Sequence, residues 1–157
     1  MSQGYFNFVL HAHLPFVRHP MYEEFLEEMW LFEAISETYL PLLRVFRRLR
    51  DDGVPYRVTM SFSPTLTAML SDELLQERYV RHLTRLIELS EKELDRTRSD
   101  TRFFPLAQMY HALFEGNLSD FVDLHRKNLL KSFRALEKEG FLEIITTAAT
   151  HSFLPLF

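Results

Sequence analysis

The run YFNFVL, Tyr5 to Leu10, passes directly into HAHLPF, His11 to Phe16, and the reading of this junction decides the fold. The first half is short, aromatic and almost continuously apolar, the pattern of a strand buried on both faces of a parallel sheet. Pro15 has no N–H to offer a ladder, so the strand ends before it and a loop follows through Arg18, His19 and Pro20. His11 and His13 lie two apart on extended backbone, so both rings project to the same side. They fall just past the carboxyl end of the strand, where α/β barrels place their active sites.

Working outward, VTMSF (Val58 to Phe62) reads as a second strand, halted by Ser63-Pro64, and LEIITTA (Leu142 to Ala148) as a third. Helical patterns fill the intervals. One starts at Tyr22, with Glu23, Glu24, Glu27 and Glu28 at its positive end, and is expected to break or kink at Pro41. Its second part carries a Leu42, Val45, Phe46, Leu49 stripe and stops at Asp51-Asp52-Gly53. Ser71-Asp72 opens another helix over Glu73 to Leu94, striped by Leu83, Ile87 and Leu94. A third begins near Pro105, with Leu106, Met109, Tyr110 and Leu113 on one face, and is interrupted at Gly116-Asn117. A fourth runs from Asp120 to Lys138 and closes on Gly140.

Strands separated by helical crossovers pair in parallel, with right-handed connections. The predicted fold class is therefore α/β, three parallel strands with helical crossovers. Three strands cannot bury their own faces, and the sequence stops on the apolar Leu154-Pro155-Leu156-Phe157. The expectation is that residues 1–157 are one incomplete domain, the N-terminal piece of a larger barrel. Its uncovered edges and helix faces predict self-association, poor solubility or a compensating partner chain.

Composition narrows the function classes. Eighteen Lys plus Arg against 22 Asp plus Glu give a net charge of −4, which argues against nonspecific nucleic-acid binding. The absence of cysteine removes disulfides, thiolate metal sites and a Cys nucleophile. No apolar stretch reaches the roughly 18 residues of a membrane span, and no leader pattern is visible, so the expected compartment is the cytoplasm. Fourteen of the 18 basic residues are Arg and only six residues are Asn or Gln, a composition that fits a heat-adapted source. Fifteen Phe must be buried, line a cleft or meet further protein.

His151 falls at the end of the third strand, as His11 and His13 do at the end of the first. Three imidazoles converging at one rim would donate and accept hydrogen bonds. Three readings are open: a three-imidazole metal site, a sugar or polar-ligand site with Phe16 and Trp30 as aromatic platforms, or rings that simply satisfy partners within the fold. His19, His82, His111 and His125 read as surface or core residues. Glu143, among apolar neighbours, reads as a paired, protonated or interior-facing carboxylate. The Arg44 to Arg50 cluster and the acidic residues from Glu23 to Glu37 read as solvated faces. There is no Gly-rich phosphate loop and no nucleophile elbow.

Taken together and in order, FVLHAHLPFVRHP (Phe8 to Pro20), WLFEAISETYLPLL (Trp30 to Leu43), VTMSFSPTL (Val58 to Leu66) and GFLEIITTAATHSFLPL (Gly140 to Leu156) resemble the N-terminal part of glycoside hydrolase family 57. The likeness is nearest to its 1,4-α-glucan branching enzymes; the family's α-amylases and 4-α-glucanotransferases share the first two of these regions in altered form. The resemblance implies a distorted (β/α)7 barrel and a retaining mechanism with a Glu nucleophile and an Asp acid/base. In a branching enzyme the glycosyl-enzyme is captured by a glucan 6-hydroxyl, giving an α-1,6 branch in α-1,4-glucan. His11 and His13 match the family's first conserved region and His151 its second. The resemblance implies that they bond hydroxyls of the transferred sugar, with Phe16 and Trp30 as apolar contacts and no metal or cofactor. The implied catalytic Glu and Asp have no counterpart in these 157 residues, so no catalytic residue is assigned and the chain alone is expected to be inactive.

Overall fold

Val58–Phe62, strand β2, lies at the centre of a three-stranded parallel sheet, with β1 (Val9–Ala12) on one side and β3 (Leu142–Ile145) on the other. The computed structural model describes residues 4–156. Between the strands run α1 (Glu28–Ala34), a π-turn (Ile35–Tyr39) and α2 (Leu40–Asp51), then α3 (Pro64–Leu70), α4 (Glu73–Thr97), α5 (Phe104–Ser119), a second π-turn (Asp120–Leu124) and α6 (Leu129–Lys138). The predicted class, parallel α/β with helical crossovers, is the observed one.

Register sorts the strand residues onto two faces, because side chains alternate and paired residues share a side. Ala12, Val58, Met60 and Leu142 enter the core with Leu31, Leu40, Leu43, Tyr79 and Phe133. The other face carries Val9, His11, Thr59, Ser61, Glu143 and Ile145 and is open at Val9, Glu143 and Ile145. The expectation of a first strand buried on both faces is corrected here: one face is covered.

The strand boundaries also shift. Tyr5 and Phe6 lie outside the sheet and are 98% and 88% exposed. Ladder bonding starts at Phe8, whose carbonyl accepts from Thr59 N. Earlier residues would need partners around Pro55, which has no N–H. At the far end, pairing stops at Ser61↔Ile145 because Ser63 already caps α3, so β3 does not reach Ala148.

Pro41 neither breaks nor sharply ends its helix. Leu40 N donates to Ile35 O, five residues back, and this widened turn lets the chain pass the proline and continue as α2. Leu40, Leu43 and Phe46 are the residues it buries, a face rotated from the predicted stripe. Gly116-Asn117 likewise does not interrupt α5; the discontinuity falls at Arg126 and Lys127, both at positive φ, before Asn128 caps α6. Leu106, Met109 and Tyr110 of the predicted α5 face are each about half exposed. Asp72 caps α4 as predicted, accepting from Leu75 N at 3.1 Å. Gly53 (φ 68°) and Gly140 (φ 85°) end α2 and α6 in the left-handed region that only glycine enters freely.

Candidate functional site

His11 and His13 leave the carboxyl end of β1 with ring centroids 6.0 Å apart and planes 21° from parallel. His151 closes on both, with centroids 4.6 Å from His11 and 4.2 Å from His13. His11 Nε2 and His151 Nε2 stand 2.6 Å apart, a hydrogen-bond length, and His11 Nδ1 lies 2.5 Å from Ser61 Oγ. Ser61 is the register partner of His11 on β2, so both side chains share one face. His151 arrives from a 3-10 turn, Ala149–His151, in which Thr150 and His151 both have positive φ.

The loop after β1 has no regular structure, yet its backbone is pinned at successive points. Ser63 N donates to Ala12 O, and Thr65 Oγ1 donates to Leu14 O at 2.8 Å. Buried Val17 directs its N–H to Met69 Sδ, and Arg18 pairs with Asp72 at 2.5 Å. Arg78 donates to the carbonyls of His19 and Tyr22 and to Glu28 Oε1, which also accepts from His19 N. Helices α1, α3 and α4 thus fix the segment that carries His13 and Phe16.

Burial, with His151 and His11 nearby, holds the His13 ring below its usual titration range. His13 Nδ1 is itself buried and, among the described residues, has no hydrogen-bond partner. Among the described residues no group of three His, Cys, Asp or Glu has metal-holding geometry. The Nε2 pair is also too close for joint ligation, since two imidazoles each about 2.0–2.1 Å from a tetrahedral zinc stand roughly 3.4 Å apart. The arrangement suits hydrogen bonding to a neutral polar ligand.

Of the sequence-predicted residues, His11, His13 and His151 meet. Phe16 and Trp30 are about half exposed, and among the described residues neither ring stacks on the imidazoles. Glu143, between Leu142 and Ile144, is exposed and accepts from Thr59 Oγ1 at 3.1 Å, the paired one of the expected alternatives. The acidic run is not uniformly solvated: Glu28 is 1% exposed and ion-paired with Arg78 at 2.5 Å. Nor is Arg44 merely part of a solvated end, because it holds Asp120 at 2.5 Å and Asn117 Oδ1 at 2.7 Å. His19 lies against Phe25, His82 against Phe32, His111 on Ser90 and His125 on Ser132, away from the cluster. Sequence reading missed Ser61. The alternation of VTMSF, aligned with VLHA, was the available signal.

A parallel α/β sheet with converging polar side chains at its carboxyl edge is the architecture of an enzyme-type ligand site. The sequence profile of glycosyl hydrolase family 57 matches residues 7–157, and the chain belongs to that family. It is 37% identical over 154 residues to a 1,4-alpha-glucan branching enzyme of Thermococcus kodakarensis, covering 98% of this chain and 22% of that protein. The structure of a branching enzyme from Pyrococcus horikoshii superposes with a TM-score of 0.90 at 36% identity, over 99% of this chain and 29% of that one. The alpha-amylase AmyC of Thermotoga maritima gives a TM-score of 0.88 at 48% identity, over 96% and 28%. The chain therefore spans less than a third of the length of these relatives.

Proposed function

We propose that this chain supplies three strands and the two helical crossovers between them to a (β/α)7 catalytic barrel acting on α-1,4-glucan. His11, His13 and His151 hold the sugar unit being transferred. The observation that carries this reading is the convergence of the three imidazoles, from the ends of two strands, on one open rim. The imidazoles there can donate to and accept from sugar hydroxyls, and Phe16 and Trp30, each about half exposed, are the apolar contacts of this reading. The reaction is retaining transglycosylation that makes α-1,6 branches. Its support is the likeness to the Thermococcus and Pyrococcus branching enzymes. The uncovered sheet face at Val9 and Ile145 supports self-association of the isolated chain.

A second reading, α-glucan hydrolysis, is favoured by the 48% identity with the Thermotoga amylase, above the 36% with the Pyrococcus enzyme. The two differ in whether a glucan hydroxyl or water captures the glycosyl-enzyme. A polypeptide carrying this sequence at the relatives' length, incubated with amylose, separates them. Branching yields short side chains on enzymatic debranching without a matching rise in reducing ends; hydrolysis yields the reverse. The 157 residues alone form neither product by mass spectrometry, and branched glucan from the purified short chain would overturn that expectation.

A further inference from the structure

We propose that Ser61 is the positioning residue of the imidazole cluster. Its hydroxyl donates to His11 Nδ1 and sets a one-way chain of hydrogen bonds, Ser61 to His11 to His151, that ends in an N–H of the exposed His151. Only the identity of the oxygen that meets this N–H rests on the glucan reading above.

Ser61 is 6% exposed on the central strand, and its Oγ lies 2.5 Å from His11 Nδ1. Among the described residues its hydroxyl has no other side-chain partner. A buried O–H that donates to nothing carries its desolvation cost uncompensated, whereas a spare lone pair costs less. The Ser61 proton therefore points at His11 Nδ1. That makes Nδ1 the acceptor and leaves the ring proton of His11 on Nε2. The Nε2–H faces His151 Nε2 at 2.6 Å, which must then accept. The remaining proton of His151 sits on Nδ1 of an exposed residue, free to donate to an oxygen of a bound molecule.

The opposite direction fails at its first step. If His11 Nδ1–H donated to Ser61, the hydroxyl hydrogen of this buried residue would have no acceptor among the described residues. His13 packs edge-on to His151 at 4.2 Å and supplies no competing hydrogen bond to either Nε2. Ser61 touches no ligand in this scheme; it acts through two rings.

The test is an imidazole nitrogen NMR spectrum of the 157-residue chain labelled with ¹⁵N-histidine, at a pH where the rings are neutral. Single His→Gln variants assign the signals. His11 is expected as the Nε2–H tautomer and His151 as the Nδ1–H tautomer. In Ser61→Ala both become tautomer mixtures, and Ser61→Thr, which keeps a hydroxyl, restores single forms. A His11 Nδ1–H tautomer in the unmodified chain overturns the proposal without any variant. So do unchanged tautomers in a folded Ser61→Ala chain. Maltoheptaose titration adds the functional arm: affinity falls roughly threefold to tenfold in Ser61→Ala. Tautomers that follow Ser61 in a polypeptide carrying this sequence at the relatives' length that binds no maltoheptaose sustain the positioning role and overturn the glucan reading instead.

Discussion

His151 Nε2 comes to 2.6 Å from His11 Nε2 across 140 residues of sequence, and the backbone that delivers it is left-handed at two consecutive positions. Thr150 has φ 60° and His151 φ 62°. For a β-branched residue that conformation is a genuine outlier, worth roughly 1–3 kcal/mol of strain. A 3-10 turn closed by His151 N donating to Ala148 O holds it in place. The strain is located where the ring must be aimed.

Thr150→Gly removes this strain, and glycine's larger unfolded-state entropy offsets part of the gain. Urea unfolding is expected to show a net rise in stability of about 1 kcal/mol. Maltoheptaose binding, followed calorimetrically, is expected to weaken in the same variant, because the freed turn no longer fixes His151. A loss of stability would contradict the strain assignment.

Acid should destabilise the chain before its carboxylates titrate. Burial holds His82 and His125 below the ordinary imidazole value of 6.5; Arg85 adds to it at His82, and Arg47 and Arg44 at His125 against the opposing Asp120. Between 6.5 and the lower native values, the unfolded chain binds protons that the native chain does not. Stability is therefore fully present above pH 6.5 and falls as pH drops through the native values. Urea midpoints are expected to decline from pH 7.5 to 5.5, and His125→Asn to decline less steeply. A flat profile would show that these rings are not buried neutral.

The Glu28–Arg78 pair is nearly dry, at 1% and 6% exposure, and it also ties down His19 and Tyr22. Arg78→Met leaves Glu28 buried without its counter-ion and is expected to cost about 3–5 kcal/mol in urea unfolding. Glu28→Leu combined with Arg78→Met removes both charges and should cost clearly less than the two single changes added together. Additive losses would mean that the two side chains act independently.

Much of this architecture was legible because local chemistry agreed with the fold. VTMSF between turn residues gave β2 with its observed bounds, and Asp72 announced the start of α4. The meeting of His11 and His151 on the carboxyl side of the sheet was visible for the same reason, although His151 sits on a 3-10 turn beyond the end of β3. What stayed hidden depended on distant partners. The aromatic Tyr5–Phe8 run reads as strand, but its length was set by what β2 could pair. Glu28 looked like its neighbours Glu24 and Glu27 until Arg78, 50 residues away, was placed beside it. Ser61 has no motif of its own, and its role appears only once the register sets it opposite His11. The proline at position 41 announced an interruption of the regular ladder, but not its form, a π-turn that lets the chain continue as α2.

The two π-turns are themselves joined, and this gives a further prediction. Fully buried Asn117 donates through Nδ2 to Ser36 O in the first π-turn and accepts from Arg44 Nη2, while Arg44 Nε holds Asp120 at the start of the second. Ser36 Oγ in turn meets Tyr79 OH at 2.8 Å, whose pKa burial pushes up. A widened turn leaves backbone groups outside the regular ladder, so their partners must come from side chains. Asn117→Ala takes away one donor and one acceptor at a fully buried position and is expected to cost about 2–4 kcal/mol. Amide hydrogen exchange should accelerate first at residues 35–40 and 120–125, ahead of the strands. Exchange that accelerates uniformly would mean that Asn117 contributes packing alone. Asn117→Asp sharpens the distinction: it keeps the acceptor toward Arg44 and loses only the donor toward Ser36, so the first π-turn should loosen while the second holds.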